Sequence, residues 1–489
     1  MAMNRGRSLA LLIETKRSSK APLFQQVYLQ LRSLIVSQAL PQGTKLPSTR
    51  DLAQDLKVSR SVVVLAYEQL LAEGCVSGKI GSGTYVTSGI GGLPATSPAK
   101  TRECLTKSLR LVPSGAADVT VPSDDRPFNL GRTLVDARTV EQWCKLSVRT
   151  LRTFDRAFLG YSDPRGSQEL REAVCAYLRT ARAVQCEPGQ ILVTSGTQHA
   201  IDIIVRLLQR AGKKEVWIED PGYPLTMHAL LAAGMQVRPV PLDGEGLDVA
   251  CGIRQWPRAN VAVITPSHQF PSGIVMSMRR RLELLQWARK KSGWIIEDDY
   301  ASEFRYDGHP LASLQGLNGG DRVIYIGTLN KALFPGLRLG YAVIPYPLLD
   351  RAVMTRYLID RQPPSLHQSV AAEFVQLGYL ASHIRRMRQL YREQRDMLVS
   401  SLRRHLPGMV TVDAPDQGMH LVAYISNSAS DLAYEEAARR SGVIVRALSR
   451  MYVAAPPRQG LMLGFSGYSK PLIPPAVARL ASALGSVSG

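Results

Sequence analysis

The sequence has few of the features that mark metal sites or disulfide frameworks. It contains no Cys-x-x-Cys pair and no histidine cluster at metal-ligand spacing. Its six cysteines are Cys75, Cys104, Cys144, Cys175, Cys186 and Cys251. Cysteines scattered in this way predict free thiols in a reducing compartment. We therefore expect no bound metal.

Long apolar runs are also missing. The N-terminal run Leu9–Ile13 is short and is stopped by Glu14, so it cannot form the core of a signal peptide. No stretch is long enough to span a bilayer. These two absences predict a cytoplasmic protein with no membrane partner.

Positive charge is what the sequence has in excess. Lysine and arginine number 60 against 40 acidic residues, for a net charge of +20. Such an excess favours binding to nucleic acid or to an anionic membrane. The first 88 residues hold only 11 of the basic residues and 5 of the acidic ones. Charge alone therefore does not locate a binding site.

The chain of 489 residues is too long for one ordinary domain and divides into three regions. Residues 1–88 have a pattern of helices followed by a glycine-punctuated hairpin. Residues 89–126 are rich in Gly, Pro, Ser, Thr and Ala, a composition typical of a flexible linker. In residues 127–489, short apolar runs alternate with helical patterns. This alternation predicts an α/β domain with a mostly parallel sheet.

The N-terminal region predicts three helices and a wing. Apolar residues at helical spacing predict a first helix over 22–38. Ser48 precedes Asp51 in a capping-box pattern that starts a second helix. Ser59 can cap a third helix, which Gly74 ends. Two helices joined by a short turn form a helix-turn-helix, although a small three-helix protein-binding domain has the same pattern.

Two stretches of this region, "LPSTRDLA" and "GSGTYV", resemble the GntR family of winged helix-turn-helix repressors. The resemblance implies contacts with double-stranded operator DNA. A recognition helix places its first residues against base edges, and Arg60 can bond a guanine with two hydrogen bonds. Val62 stands where the family often has a hydroxyl, so the operator can differ from the family average. The implied DNA-binding residues are Arg50, Ser59, Arg60, Ser61, Lys79 and Gly81.

The C-terminal region contains a candidate reactive lysine. In "YIGTLNKALFPGLRLGY" an apolar strand ends at Gly327, and the polar residues Thr328 and Asn330 come just before Lys331. Ligands bind where the strands of open α/β sheets end. A lysine at that place can form a Schiff base with an aldehyde cofactor. The alternative is a solvated surface lysine that follows a strand.

Three further features favour a cofactor site. "GWIIEDDYASEFRY" is an apolar strand that ends in acids and Tyr300, and an acid there could keep a pyridine nitrogen protonated. In "ILVTSGTQHAIDII" the amides of Gly196, Thr197 and Gln198 would point at a phosphate from a helix N-terminus. Arg338 follows Lys331 by seven residues and could supply a counter-charge to that phosphate.

Together and in this order, the motifs resemble fold-type I aminotransferases over about 128–489. The stretches "TSGTQHAI", "EDPGYP", "TPSHQFPSG", "EDDYASEFRY" and "LFPGLRLGY" carry the resemblance. With the N-terminal region attached, the chain resembles the MocR (GabR-type) subfamily of GntR regulators. The resemblance implies pyridoxal 5'-phosphate as cofactor and a homodimer with shared sites.

The resemblance also implies a role for each site residue. Lys331 would carry the Schiff base, Asp298 would pair with the pyridine nitrogen, and Tyr300 with the phenolic oxygen. Tyr223 would stack on the ring. The remaining implied cofactor residues contact the phosphate or the phenolic edge, and Tyr161 reaches the phosphate of the partner subunit's cofactor. They are Gly196, Thr197, Gln198, Thr328, Arg338, His268, Gln269 and Tyr161.

The sequence departs from the family pattern at three places. Asn330 stands where a serine usually precedes the lysine. The segment "GRTLVDARTVEQW" only loosely matches the region that lines the ligand site. Met462 stands where aminotransferases carry an arginine that grips a carboxylate. If the effector has a carboxylate, Arg450 or Arg446 is the candidate to bind it.

Three functions remain open from the sequence. The first is a transcription regulator that binds operator DNA and responds to an amine or amino-acid effector through aldimine exchange at Lys331. The second is an active aminotransferase with an accessory DNA-binding domain, since the cofactor motifs are intact; physiological turnover stays uncertain. The third is a sensor of pyridoxal phosphate itself.

Overall fold

The computed structural model of the chain describes residues 13–15, 21–79, 83–87, 126–153, 158–308, 311–317 and 320–488. The predicted linker 89–126 lies outside the described residues except for Arg126. The domain boundaries at 88 and 127 therefore stay predictions.

The N-terminal unit is a winged helix-turn-helix. Its elements are α1 (Leu23–Val36), α2 (Thr49–Asp55), α3 (Arg60–Ala72), β1 (Val76–Lys79) and β2 (Gly83–Val86), and the two strands pair antiparallel. The Ser48 hydroxyl accepts the amide of Asp51 at 3.2 Å, as the capping pattern predicts. Gly74 has φ 68 just beyond α3, which ends the helix as expected. Ser59 precedes α3 but does not cap it, because its hydroxyl bonds to the Ser61 hydroxyl at 2.8 Å.

A buried polar group closes the end of α3 against the C-terminal domain. The Glu73 carboxylate accepts from Arg32 Nε at 2.9 Å and from the Tyr28 hydroxyl, and all three side chains are buried. The Glu73 backbone oxygen accepts the amide of Met278, in the C-terminal domain, at 3.0 Å. The two domains therefore meet at the end of α3.

The C-terminal domain is built on an eight-stranded sheet with the order β3-β10-β9-β8-β7-β4-β5-β6. The sheet is mostly parallel, as predicted; β10 and β6 run antiparallel to their neighbours. Its central strands are buried along their whole length, which explains the apolar runs in β7, in β9 and at the start of β8. The strands are β3 (Ile191–Thr194), β4 (Glu215–Asp220), β5 (Gln236–Asp243), β6 (Gly246–Leu247), β7 (Val261–Ile264), β8 (Trp294–Asp299), β9 (Val323–Thr328) and β10 (Gly340–Val343).

Helices connect and flank these strands. They are α4 (Ala137–Arg152), α5 (Gln168–Arg182), α6 (Thr197–Arg210), α7 (Pro224–Ala232), α8 (Val249–Gln255), α9 (Met278–Lys290), α10 (Tyr346–Asp360), α11 (Ser365–Gln376) and α12 (Tyr379–His405). Because strands alternate with helices, the carboxyl ends of the parallel strands share one edge of the sheet.

A smaller antiparallel sheet follows, with the order β11-β12-β14-β13. Its elements are β11 (Val410–Val412), β12 (His420–Ile425), α13 (Asp431–Arg440), β13 (Arg446–Ala447), β14 (Gly460–Gly464) and α14 (Ile473–Ser488). α14 packs on α12 and α13 through a second apolar core. The first residue of β12, His420, lies next to the carboxyl edge of the large sheet, against Pro271.

Candidate functional site

Lys331 lies just beyond the carboxyl end of β9, where the sequence predicts a reactive lysine. Its Nζ atom donates to the carbonyl oxygen of Gly131 at 3.0 Å. Burial lowers the pKa of Lys331 to about 8. Near neutral pH the side chain is therefore neutral far more often than an exposed lysine, as a nucleophilic amine requires.

Asp298 and Asp299 are the last residues of the neighbouring strand, β8, and Tyr300 follows them. Asp298 and Tyr300 are deeply placed, and neither Asp298 Oδ1 nor the Tyr300 hydroxyl has a hydrogen-bond partner among the described residues. Burial, together with the charges of Asp299 and Glu219, raises the pKa of Asp298 to about 7. A buried polar atom without a partner is costly. These two atoms therefore indicate that a ligand forms hydrogen bonds with them.

The turn between β3 and α6 faces Asn330 and Arg338. Gly196 is the N-cap of α6 and has φ 108, a backbone angle that favours glycine. A Cβ atom on Gly196 would lie 3.1 Å from Asn330 Nδ2 and 3.7 Å from the guanidinium nitrogens of Arg338. A helix N-terminus, an amide and a guanidinium thus converge on one space. This combination suits a phosphate.

The residues around this cradle are held by hydrogen bonds. Thr328 Oγ1 accepts the amide of Asn330 at 3.1 Å, and Asn330 Oδ1 accepts the amide of Leu339 at 2.8 Å. Asn330 thereby keeps the polar role expected of the usual serine. Arg338 is held at φ 51, in the left-handed region. Thr197 is the first residue of α6, and the Nε2 atom of Gln198 is buried without a partner among the described residues.

Aromatic rings form the outer wall. Tyr223 is half exposed and meets the Phe270 ring edge-on at 5.2 Å. The His268 ring lies 5.8 Å from that of Tyr300. Gln269, by contrast, is used by the protein: its amide group bonds to the Pro221 carbonyl oxygen at 2.9 Å and accepts the Ser272 hydroxyl at 2.6 Å. Its side chain holds the loop together.

The predicted effector arginines both contact one acid. Arg450 Nε lies 2.8 Å from a Glu435 carboxylate oxygen, and Arg446 Nη1 lies 3.8 Å from the other. Met462 is fully buried in β14 between Val422 and Arg446. The position that holds an arginine in aminotransferases is therefore apolar in this chain.

The residues predicted to contact DNA at the starts of α2 and α3 lie on the surface of the helix-turn-helix. Arg50, Ser59, Arg60 and Ser61 are all exposed. Arg60 Nε approaches the Thr49 hydroxyl at 3.4 Å, which joins the start of α3 to the start of α2. Lys79 ends β1, and Gly81 lies outside the described residues.

Tyr161 is far more exposed than most tyrosines, at 76% of its surface, and Arg361 stacks on its ring at 3.8 Å. It lies near an apolar surface of α10, where Met354, Leu358 and Ile359 are exposed. A large exposed apolar surface commonly marks a protein interface.

Three features of the site were not singled out from the sequence. The Gly131 carbonyl oxygen accepts a hydrogen bond from Lys331, His420 lies beside His268, and Arg182 forms an ion pair with Asp299. In the last pair, Arg182 Nε lies 2.7 Å from Asp299 Oδ2, and both side chains are 3% exposed. The only available signal was Asp299 itself, next to the chosen Asp298. Among the described residues no cluster of potential metal ligands occurs, and no described helix is long and apolar enough to cross a membrane.

Two protein families match the chain. The bacterial regulatory proteins of the gntR family match residues 23–86, and the aminotransferases of class I and II match residues 128–463. Together these matches cover both described domains.

Individual proteins match along the whole chain. The probable rhizopine catabolism regulatory protein MocR of Rhizobium meliloti is 37% identical over 92% of this chain and 91% of its own length. The uncharacterized HTH-type transcriptional regulator YhdI of Bacillus subtilis (strain 168) is 34% identical, over 96% and 97%. A solved archaeal alanine:glyoxylate aminotransferase superposes with a TM-score of 0.66 at 28% identity, over 74% of this chain and 89% of its own.

Proposed function

The chain belongs to the MocR-type regulators of the GntR family, in which an aminotransferase domain of class I and II follows the helix-turn-helix, and we propose that it couples operator binding to an amine effector. It is a helix-turn-helix transcription regulator, and its C-terminal domain binds pyridoxal phosphate. The observation that carries the proposal is Lys331, a half-buried lysine of lowered pKa, in the same chain as a recognition helix with an exposed start.

The unpartnered atoms of the site fit pyridoxal phosphate. Asp298 Oδ1 would face the pyridine nitrogen, and the Tyr300 hydroxyl would donate to the phenolic oxygen. The half-exposed ring of Tyr223 would lie over the cofactor ring. The cradle formed by Gly196, Thr197, Gln198, Thr328 and Arg338 would hold the phosphate. His268 would lie beside the phenolic edge, and Gln269 would support it through the loop.

When bound, pyridoxal phosphate supplies an aldehyde carbon that combines with amines and a ring that withdraws electrons. The protein contributes the neutral amine of Lys331 and the buried carboxyl of Asp298. The pKa of about 7 for Asp298 reflects a site without a counter-charge. A protonated ring nitrogen would supply that charge and hold Asp298 ionised.

An amine that took the place of Lys331 on the cofactor would leave the lysine side chain free. In this structure the free Nζ atom donates to the carbonyl oxygen of Gly131. Gly131 lies five residues after Arg126, the last residue of the predicted linker. Release of Lys331 would therefore favour a contact five residues beyond the linker, and a ligand that favours one state shifts the equilibrium between states.

The DNA side of the function uses the exposed start of α3. We assign base reading to Arg60 and backbone contacts to Arg50, Ser59 and Ser61, with Lys79 and Gly81 in the wing. A symmetric dimer would present two such helices. The exposed apolar surface of α10 and the exposed ring of Tyr161 support a homodimer in which Tyr161 reaches the partner's cofactor.

Transamination is the second candidate function, and the intact site around Lys331 favours it. A lysine with a pKa of about 8 can accept and return protons near neutral pH. Two observations argue against efficient turnover of amino acids. Met462 is buried, and Arg446 and Arg450 are paired with Glu435. Sustained conversion of an amino donor with a keto acid would favour this alternative.

The test uses the full-length protein with pyridoxal phosphate and a DNA fragment from upstream of its own gene. We expect imine absorbance in the wild type, fixation of the cofactor to Lys331 by borohydride, and operator affinity that changes with an amine. Lys331→Ala should bind the operator but show neither imine absorbance nor an amine response. Lys214→Ala, at an exposed lysine of the same domain, serves as the matched control.

An unchanged amine response in Lys331→Ala would refute the proposal. Operator affinity that depends on the cofactor alone, with no effect of any amine, would instead identify a sensor of pyridoxal phosphate.

A further inference from the structure

A cavity of about 390 Å³ lies between the end of α3 and the C-terminal domain. Ala72, the last residue of α3, lines one side of it, and His268 and His420 line another. The two imidazole rings are 5.9 Å apart, and His268 also packs near Tyr300 at 5.8 Å. The cavity therefore reaches from the helix that reads DNA to the edge of the cofactor site.

One loop forms both the cavity wall and the contact between the domains. The loop runs from His268 to the start of α9, and its residues Pro271, Ser272, Gly273 and Val275 line the cavity. At the end of the loop, the amide of Met278 donates to the backbone oxygen of Glu73 at 3.0 Å. A ligand in the cavity would thus touch the end of α3 and the loop that holds it.

His268 is an incomplete hydrogen-bonding group in this wall. It is 4% exposed, and neither Nδ1 nor Nε2 makes a hydrogen bond of full geometry among the described residues, although the nearby backbone of Gly273 acts on the ring and raises its pKa against the larger effect of burial. Burial lowers the pKa of His268 to about 3 and that of His420 to about 4, so both rings are neutral. A neutral imidazole offers one donor and one acceptor. His420 Nε2 donates to the Pro271 carbonyl oxygen at 3.1 Å, which leaves Nδ1 of that ring as an acceptor.

The chemistry of the lining favours a hydroxyl over a carboxylate. A hydroxyl both donates and accepts, so it can satisfy either imidazole, whereas a carboxylate only accepts. The exposed acids Asp413 and Asp416 line the cavity as well and would repel an anion. Arg305 is also in the lining, and the charge of Asp416 acts on it directly.

We propose that this cavity binds the distal, hydroxyl-bearing part of the amine effector, so that the ligand itself contacts the end of α3. The inference rests on the proposed function, since it places the amino group of the same ligand at the cofactor. The inference identifies the effector as a hydroxylated amine that has no carboxylate. It also gives the effector a route to the DNA-binding domain that does not pass through the linker.

The test uses full-length protein loaded with pyridoxal phosphate and three amines: 3-amino-1-propanol, 3-aminopropanoate and methylamine. The first two have the same chain length and differ in their hydroxyl or carboxylate end, and methylamine has no tail. The concentration of each that gives half of the visible absorbance change is measured. In the wild type, 3-amino-1-propanol should half-saturate about tenfold below 3-aminopropanoate, because a buried imidazole gains a partner.

Ala72→Leu places a larger side chain in the cavity from the α3 side. It should raise the half-saturating concentration of 3-amino-1-propanol by about tenfold and leave methylamine unchanged. Ala176→Leu, at an exposed alanine of α5, is the matched control and should change neither. Binding reciprocity gives a second readout: operator DNA should change the affinity for 3-amino-1-propanol by the same factor as this amine changes operator affinity.

The inference is overturned if the wild type prefers 3-aminopropanoate or does not distinguish the two, a result that needs no variant. It is also overturned if folded Ala72→Leu, checked by thermal melting, responds as the wild type does. In both cases methylamine still changes the spectrum, so the proposed function survives. If none of the three amines changes the spectrum or operator affinity, the proposed function fails together with this inference.

Discussion

Lys331 should capture its cofactor at a pH where an ordinary lysine reacts poorly. Burial lowers its pKa to about 8, whereas an exposed lysine titrates near 10.4. At pH 7 about a tenth of Lys331 is then neutral, roughly 230 times the neutral fraction of an exposed lysine. Because only the neutral amine attacks an aldehyde, the rate of capture should follow this fraction.

The assay mixes cofactor-free protein with pyridoxal phosphate and follows imine absorbance in a stopped-flow instrument. The rate should rise about ninefold from pH 6 to pH 7 and about fivefold from pH 7 to pH 8, and above that it should level off. N-acetyl-lysine methylamide, with an exposed amine, corrects for titration of the cofactor itself. Its rate should keep rising through pH 9.

Two results would refute this reasoning. A rate that still climbs beyond about pH 9 would mean that Lys331 has an ordinary pKa and that its burial is relieved in solution. A Lys331→Ala protein with the same absorbance change would mean that another amine captures the cofactor.

Three further predictions concern other parts of the molecule. Arg60→Ala should weaken operator binding by about 1–3 kcal/mol and relax the preference at one base pair, measured by fluorescence anisotropy with substituted operators; unchanged affinity would remove α3 as the reading helix. Arg182→Leu should lower the free energy of unfolding by about 3–5 kcal/mol in urea titrations, because Asp299 is left buried without its counter-ion. Equal stability of variant and wild type would show that this carboxylate finds another partner. If the proposed homodimer forms through the exposed apolar surface of α10, Leu358→Asp should convert it to a monomer in analytical ultracentrifugation, and an unchanged mass would refute this interface.

The elements that the sequence predicted best are those with local signals. Ser48 and Gly74 mark helix ends through hydrogen bonds and backbone angles that depend on a few neighbouring residues. Strand β9 is a continuous apolar run that leads directly to Lys331, so its place at the sheet edge follows from the pattern. Ser59 shows the limit of such signals, because a second hydroxyl nearby competes for its bond.

Contacts between distant segments had no such signal. Gly131 is 200 residues from Lys331, and His420 is 152 residues from His268. Neither residue stands out by type or spacing, since tertiary packing alone brings them to the site. The contact of Glu73 with Met278 is of the same kind. The sequence suggested two domains joined by a flexible linker, whereas the described residues also share a direct hydrogen bond between them.

Arg338 carries a consequence for how this chain can evolve. It is held at φ 51, a backbone angle that glycine adopts without strain and that costs a residue with a side chain about 1–2 kcal/mol. The same backbone angle directs its guanidinium toward Gly196. A library of variants selected only for heat resistance should therefore enrich glycine at this position, while one selected for gene regulation should reject it. If Arg338 holds the phosphate as proposed, selection for stability alone would weaken cofactor binding, and natural sequences that have lost the cofactor should be those in which this arginine has been replaced.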